Sequence, residues 1–168
     1  MQLKDVYDQN FLKSFGDKAD KIGEIELNGL AVDIKKIVET MGYRIDDLRN
    51  YASFDDVPDD VIVYDSNYPQ DSYPIEIAAD FSRQLWREDP DATMIAFLQS
   101  AQRIERFMYK MLMPEDLIKM SLAKYMKAHN VTSIDQVTPE NAISEMSKDF
   151  KVPARYVREG LRQIGLIA

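Results

Sequence analysis

Cysteine is absent from these 168 residues, and histidine occurs once, as His129. The first absence removes disulfides and thiolate metal sites together, which fits a reducing compartment. The second leaves too few ligands for a conventional zinc centre, which draws on several His or Cys side chains. Oxygen-ligand sites for magnesium or calcium stay open on composition alone. No apolar run reaches membrane-spanning length, so no membrane association is expected. The opening MQLKDVYDQN lacks the basic start and apolar core of a secretion signal, and a cytoplasmic location is the expectation. Phosphate loops, dinucleotide fingerprints and nucleophile elbows are missing as well, since no GxxxxGK[ST], GxGxxG or GxSxG occurs. No cofactor is expected.

The chain carries 45% hydrophobic and 30% charged residues, the balance of a globular unit able to bury one core. Its 29 acidic residues outnumber 21 basic ones, for a net charge of −8, which opposes long-range attraction to nucleic acid or an anionic membrane. Contact with nucleic acid would need a local basic patch.

Residues 1–29 hold Leu3, Val6, Phe11, Leu12 and Phe15 at loose spacing, compatible with a flexible arm or a short packed helix. Asn28 precedes Leu30, Ile34, Ile37, Val38 and Met41 at helical spacing, and Gly42 follows as a left-handed cap. Tyr43-Arg44-Ile45 starts a strand. The acidic stretch Asp46 to Asp60 predicts a loop or helical turn, because it lacks the ligand alternation and glycine of a calcium loop. Val61 to Tyr64, β-branched and aromatic, predicts a short strand.

Pro74 suits the first turn of a helix whose stripe is Ile77, Phe81 and Leu85, with Ala78 and Trp86 alongside, ending at Asp89-Pro90. A second helix from near Asp91 runs through Ile95, Leu98, Ala101, Ile104, Met108, Met111 and Leu112 until Pro114. A third spans Asp116 to about Ala128. Thr138 and Pro139 open a fourth through Ile143, Met146 and Phe150, and a break at Lys151-Val152-Pro153 leads to a last helix stopped by Gly165. The last helices have the outline of a helix-turn-helix. On the final one, Arg155, Arg158 and Arg162 share a face, the best local basic patch in the chain. Phosphate contact and a solvated structural face are its two readings, and the net charge favours the second. His129, at an apparent helix end, reads as a C-terminal helix partner rather than a catalytic base.

The order of these elements, together with the stretch Phe107-Met108-Tyr109-Lys110-Met111-Leu112-Met113-Pro114, resembles the ImmA/IrrE family of zincin-like metallopeptidases. A tail like Phe150-Lys151-Val152 followed by Val157, Leu161 and Gly165-Leu166 adds to the likeness. The resemblance implies a helix-rich α+β fold: a zincin-like metallopeptidase scaffold with a small β-sheet and a C-terminal helix-turn-helix-like portion. Its expected divisions are an N-terminal arm or short helix (1–29), a metallopeptidase-like core (30–114) and a helical portion (115–168) packed on it. The family's HExxH motif would place its two histidines at Ala79 and Arg83 and its general base at Asp80, with the third ligand near Ala101 or, in another register, Arg103. Alanine has no donor atom, and a permanently charged guanidinium repels a cation. Asp80 is then expected to form a structural pair with Arg83, three residues on. What the resemblance implies is a non-catalytic protein that binds a repressor-like or other regulatory partner in a bacterial prophage or mobile-element setting. Two further readings are a DNA-binding regulator using the C-terminal helices and a hydrolase centred on Glu76 and Asp80. Oligomeric state is not readable from the sequence.

Overall fold

The segment that the sequence leaves between arm and helix is part of the core. Leu3 is 0% exposed and Phe15 2%. The computed structural model describes residues 1–85 and 94–168, with the side chains of 94–100 also outside the described set. At the N-terminus a 3-10 turn at Leu3–Asp5 leads into helices α1 (Gln9–Lys13) and α2 (Ala19–Gly23). Asp8 caps α1 by accepting from the Phe11 amide at 2.7 Å. Gln2 and Glu26 form an antiparallel bridge, closing the segment on itself. Phe11 and Phe15 pack against Phe107 with tilted rings, and Phe15 stacks with Phe81, at centroid distances of 5.0 to 6.5 Å. The Tyr7 hydroxyl donates to the Met111 carbonyl at 2.5 Å, and burial pushes its pKa well up.

Helix α3 (Ile34–Thr40) starts four residues later than the apolar spacing predicts. Gly29 is left-handed (φ 62°), and Asn28 and Ala31 exchange backbone hydrogen bonds of 2.9 and 3.0 Å across a tight turn. Asp33 rather than Asn28 supplies the cap, accepting from the Lys36 amide at 3.2 Å. Gly42, at φ 94°, takes the expected left-handed position beyond the helix.

Strands β1 (Arg44–Asp47) and β2 (Val61–Tyr64) pair in parallel, Arg44 opposite Val61 and Asp47 opposite Tyr64. Residues 48–60 cross between them through two 3-10 turns, a length that a parallel connection requires. Helix α4 (Tyr73–Leu85) packs on β2, on α3 and on α5 (Met94–Leu112). The breaks expected at Asp89-Pro90 and Asp91, and Trp86 with them, lie outside the described residues. The fold is thus helix-rich α+β with a small parallel sheet.

Pro114 occupies the N-cap position of α6 (Glu115–Ala128), and Thr138 followed by Pro139 opens α7 (Pro139–Phe150), with no side-chain cap bond at either start. Lys151 ends α7 in the left-handed region at φ 56°, and α8 (Ala154–Gln163) follows. Asp149 of α7 accepts from Ser121 (2.8 Å) and Lys124 (2.5 Å) of α6. Gly160 lets α8 approach α5: a Cβ there would stand 3.0 Å from Met113 Cε and 3.2 Å from the Tyr109 ring. One turn earlier Tyr156 stacks on Tyr109 at 4.2 Å. No described helix is long and apolar enough to cross a membrane.

If residues 1–27 are core, Phe15→Ala is expected to cost about 3–5 kcal/mol in urea unfolding, the range for a buried phenylalanine. Phe54→Ala, at a side chain 53% exposed, is expected to cost less than about 1 kcal/mol. Equal, small costs at both sites would contradict the packed N-terminal segment.

Candidate functional site

Apolar side chains at Ile77, Ala78 and Phe81 turn α4 inward, and this fixes the direction of its carboxylates. Glu76 and Asp80 are one turn apart, so they share a face. Arg44 N–H donates to the Asp60 carbonyl, which puts the backbone groups of even-numbered β2 residues on the β1 side. The amides of Val63 and Asp65 therefore leave on the other, unpaired edge. Asp80 Oδ2 accepts from the Val63 amide at 3.0 Å, and Glu76 Oε1 from the Asp65 amide at 3.2 Å. The Ser72 hydroxyl lies 3.5 Å from Glu76 Oε2. Two carboxylates spaced by a helical turn thus close two amides spaced by a strand repeat.

Asp80 is 3% exposed. Burial raises its pKa above the usual aspartate value; the Val63 amide and the Arg83 charge pull the other way without cancelling that rise. Arg83 NH2 stands 3.9 Å from Asp80 Oδ1, with the arginine side chain 56% exposed. The pair expected from sequence is present, but it is the weaker of two attachments: the primary partner is the backbone of β2, 17 residues away. That partner could not be read from helical spacing.

Of the positions where the resemblance would place metal ligands, Ala79 is half-buried against the core, Arg83 is exposed, and Ala101 lies on the exposed surface of α5. The structure brings Asp80 and Arg83 together and leaves Ala101 on the outside. Among the described residues no three His, Cys, Asp or Glu side chains are grouped to hold a metal ion.

The three arginines of α8 differ in their surroundings. Arg158 makes a two-pronged bond with Glu140 of α7, at 2.5 and 2.6 Å, raising the guanidinium pKa and lowering the carboxyl pKa. Arg162 reaches Glu159 at 3.6 Å and the Ala168 carbonyl at 3.1 Å. Arg155 is exposed. His129 ends α6, 2.8 Å from Glu145 of α7 and against the Tyr125 ring at 4.3 Å.

A groove of about 690 Å³, built from residues far apart in the sequence, lies between the N-terminal segment, α5, the start of α6 and α8. A second, of about 650 Å³, shares Asp8, Phe11, Gln102, Arg106 and Lys110 with it. The apolar spacing of Val6 and Phe11 was visible, but not the helix they would face. Comparison of the chain with protein-family models, curated proteins and solved structures finds no match.

Asp80 yields a pH-dependent expectation. Its folded pKa lies above the unfolded value of about 3.9, so the folded state holds the proton to higher pH. The stability this provides is full below the unfolded pKa and is lost as pH rises through the folded one. Asp80→Asn keeps an acceptor for the Val63 amide and removes the titration. Wild-type stability is therefore expected to fall relative to Asp80→Asn as pH rises from about 4, then to level off. Asp80→Ala orphans the amide and is expected to cost about 1–3 kcal/mol in urea unfolding at neutral pH. A flat difference between wild type and Asp80→Asn across this range would contradict the burial argument.

Proposed function

We propose that this chain is a non-catalytic regulatory, protein-interaction protein of the ImmA/IrrE type. Its partner is a repressor-like or other regulatory protein in a bacterial prophage or mobile-element setting, met in the cytoplasm. The observation that carries the reading is the commitment of Asp80: the one carboxylate at the motif bonds the open edge of β2, beside Ala79 and Arg83, neither of which can ligate zinc. Fold alone does not fix function, so the partner class rests on the sequence resemblance.

A general base needs reach to a proton on a substrate. Both Asp80 and Glu76 instead accept from backbone amides of β2 and the residue after it, which weighs against the hydrolase reading. The DNA reading is weakened in a similar way. Arg158 and Arg162 are matched by carboxylates on their own helices or the neighbouring one, in a chain of net charge −8.

The test is capture of a partner from host lysate, followed by reconstitution from pure components. A stable complex with the partner at full length is expected, unchanged by added zinc and by Asp80→Asn. Partner cleavage that is lost in Asp80→Asn would overturn the reading. Affinity for a duplex is expected to stay within the non-specific range, weaker than about 1 μM at physiological salt, and unmoved by changing Arg155, Arg158 and Arg162 to Ala. A tighter, sequence-selective complex lost in that variant would establish the DNA reading instead.

A further inference from the structure

The two grooves share five lining residues and together form a channel along α5 from Gln102 to its end, with Met113 just beyond, roughly 16 Å at 1.5 Å per residue. Its floor is formed by the largely buried aromatic and aliphatic side chains of Phe11, Tyr109, Met113 and Ile118, 1% to 9% exposed. Five carboxylates stand around it, from Asp5, Asp8, Glu105, Glu115 and Asp116. Three cations, Arg103, Arg106 and Lys110, line the channel with them, and Glu115 is paired with Lys119 at 3.0 Å. Asp5 and Asp8 each give one oxygen to a backbone amide, at 2.8 and 2.7 Å. Glu105 and Asp116 are exposed. Ile164, 39% exposed, adds an apolar edge at the α8 end.

We propose that this channel docks a basic, amphipathic segment of a partner protein, about three helical turns long, whose apolar side chains meet the aromatic lining while its Lys and Arg face the carboxylates. The proposal rests on the interaction reading above and gives that reading a surface. Charge complementarity selects this occupant. The excess of carboxylates repels phosphate, which disfavours nucleic acid, and a second copy of a chain with net charge −8 brings the wrong sign. An apolar lining with acidic surroundings asks for both features in one ligand, and the length matches anchors at positions i, i+3 or i+4, and i+7.

The probe is a fluorescein-labelled peptide of about 14 residues, Leu on one helical face and Lys on the other, titrated with the full chain by anisotropy. Saturable binding that weakens with salt is expected. Glu105→Lys with Asp116→Lys is expected to weaken it at least about tenfold, whereas the same charge change at exposed Asp55 and Asp71, which line neither groove, weakens it less than about threefold. Replacing the peptide's Leu by Ser is expected to cost at least about tenfold, and bound peptide should slow amide exchange in residues 5–11 and 102–113. Should the reversal lower the urea midpoint, Glu105→Gln with Asp116→Asn gives the same comparison with smaller change.

Equal loss in the groove and control variants would show diffuse charge attraction and overturn the proposal. So would absence of saturable binding, or a homodimer in sedimentation that Glu105→Lys with Asp116→Lys disperses. A captured partner that binds the groove variant as well as wild type removes the groove and leaves the interaction reading standing. Peptide binding at the groove together with Asp80-dependent cleavage removes the non-catalytic reading and leaves the groove.

Discussion

A parallel pair of short strands leaves two edges of unpaired backbone groups, and two strands alone are marginally stable in water. In this chain one such edge, on β2, is closed by a helix. Asp80 and Glu76 accept from the Val63 and Asp65 amides because a helical turn on α4 matches a two-residue repeat on the strand. The apolar half of α4, through Ile77, Ala78 and Phe81, holds the helix where that match can occur. Sheet, helix and core are therefore coupled: the carboxylates satisfy the strand only while the apolar face is packed, and α3 and α5 pack on the same helix.

This coupling bears on chemistry. A carboxylate that replaces water around a strand edge has one oxygen committed to that edge, and its raised pKa reflects burial. At 3% exposure such a group does not reach a substrate proton as one facing a cleft would. A concave surface lies along α5, where the N-terminal segment packs beside it and α8 comes close at Gly160. The same aromatic residues, Phe11 and Tyr109, belong both to the core and to the lining of the groove.

Much of the fold was legible wherever the signal is local. β-Branched Val61 to Tyr64 is a strand, Pro74 lies in the first turn of α4, Thr138-Pro139 opens α7, and Gly42 follows α3 with positive φ. Each depends on the conformational preference of a few consecutive residues. The start of α3 was misread because Leu30 continues the apolar spacing while Gly29 turns the chain; a cap is fixed by dihedral angle as well as by residue type. At the site, the residue types at Ala79, Asp80, Arg83 and Ala101 could be read directly. Their partners could not, since Asp80–Val63 and Arg158–Glu140 span 17 and 18 residues and depend on tertiary packing. The groove was hidden for the same reason: it exists only once residues 5–11 lie against α5.

The most direct measurement is a pH titration by NMR that follows the side-chain carboxyl carbon of Asp80 together with the backbone amide of Val63. The account predicts that Asp80 titrates above the usual aspartate range and that the Val63 amide shift moves with the same midpoint, in an amide slow to exchange with solvent. An Asp80 that titrates like a solvated aspartate, with a Val63 amide that ignores it and exchanges freely, would contradict the structural role of this carboxylate and return it to the pool of possible catalytic groups.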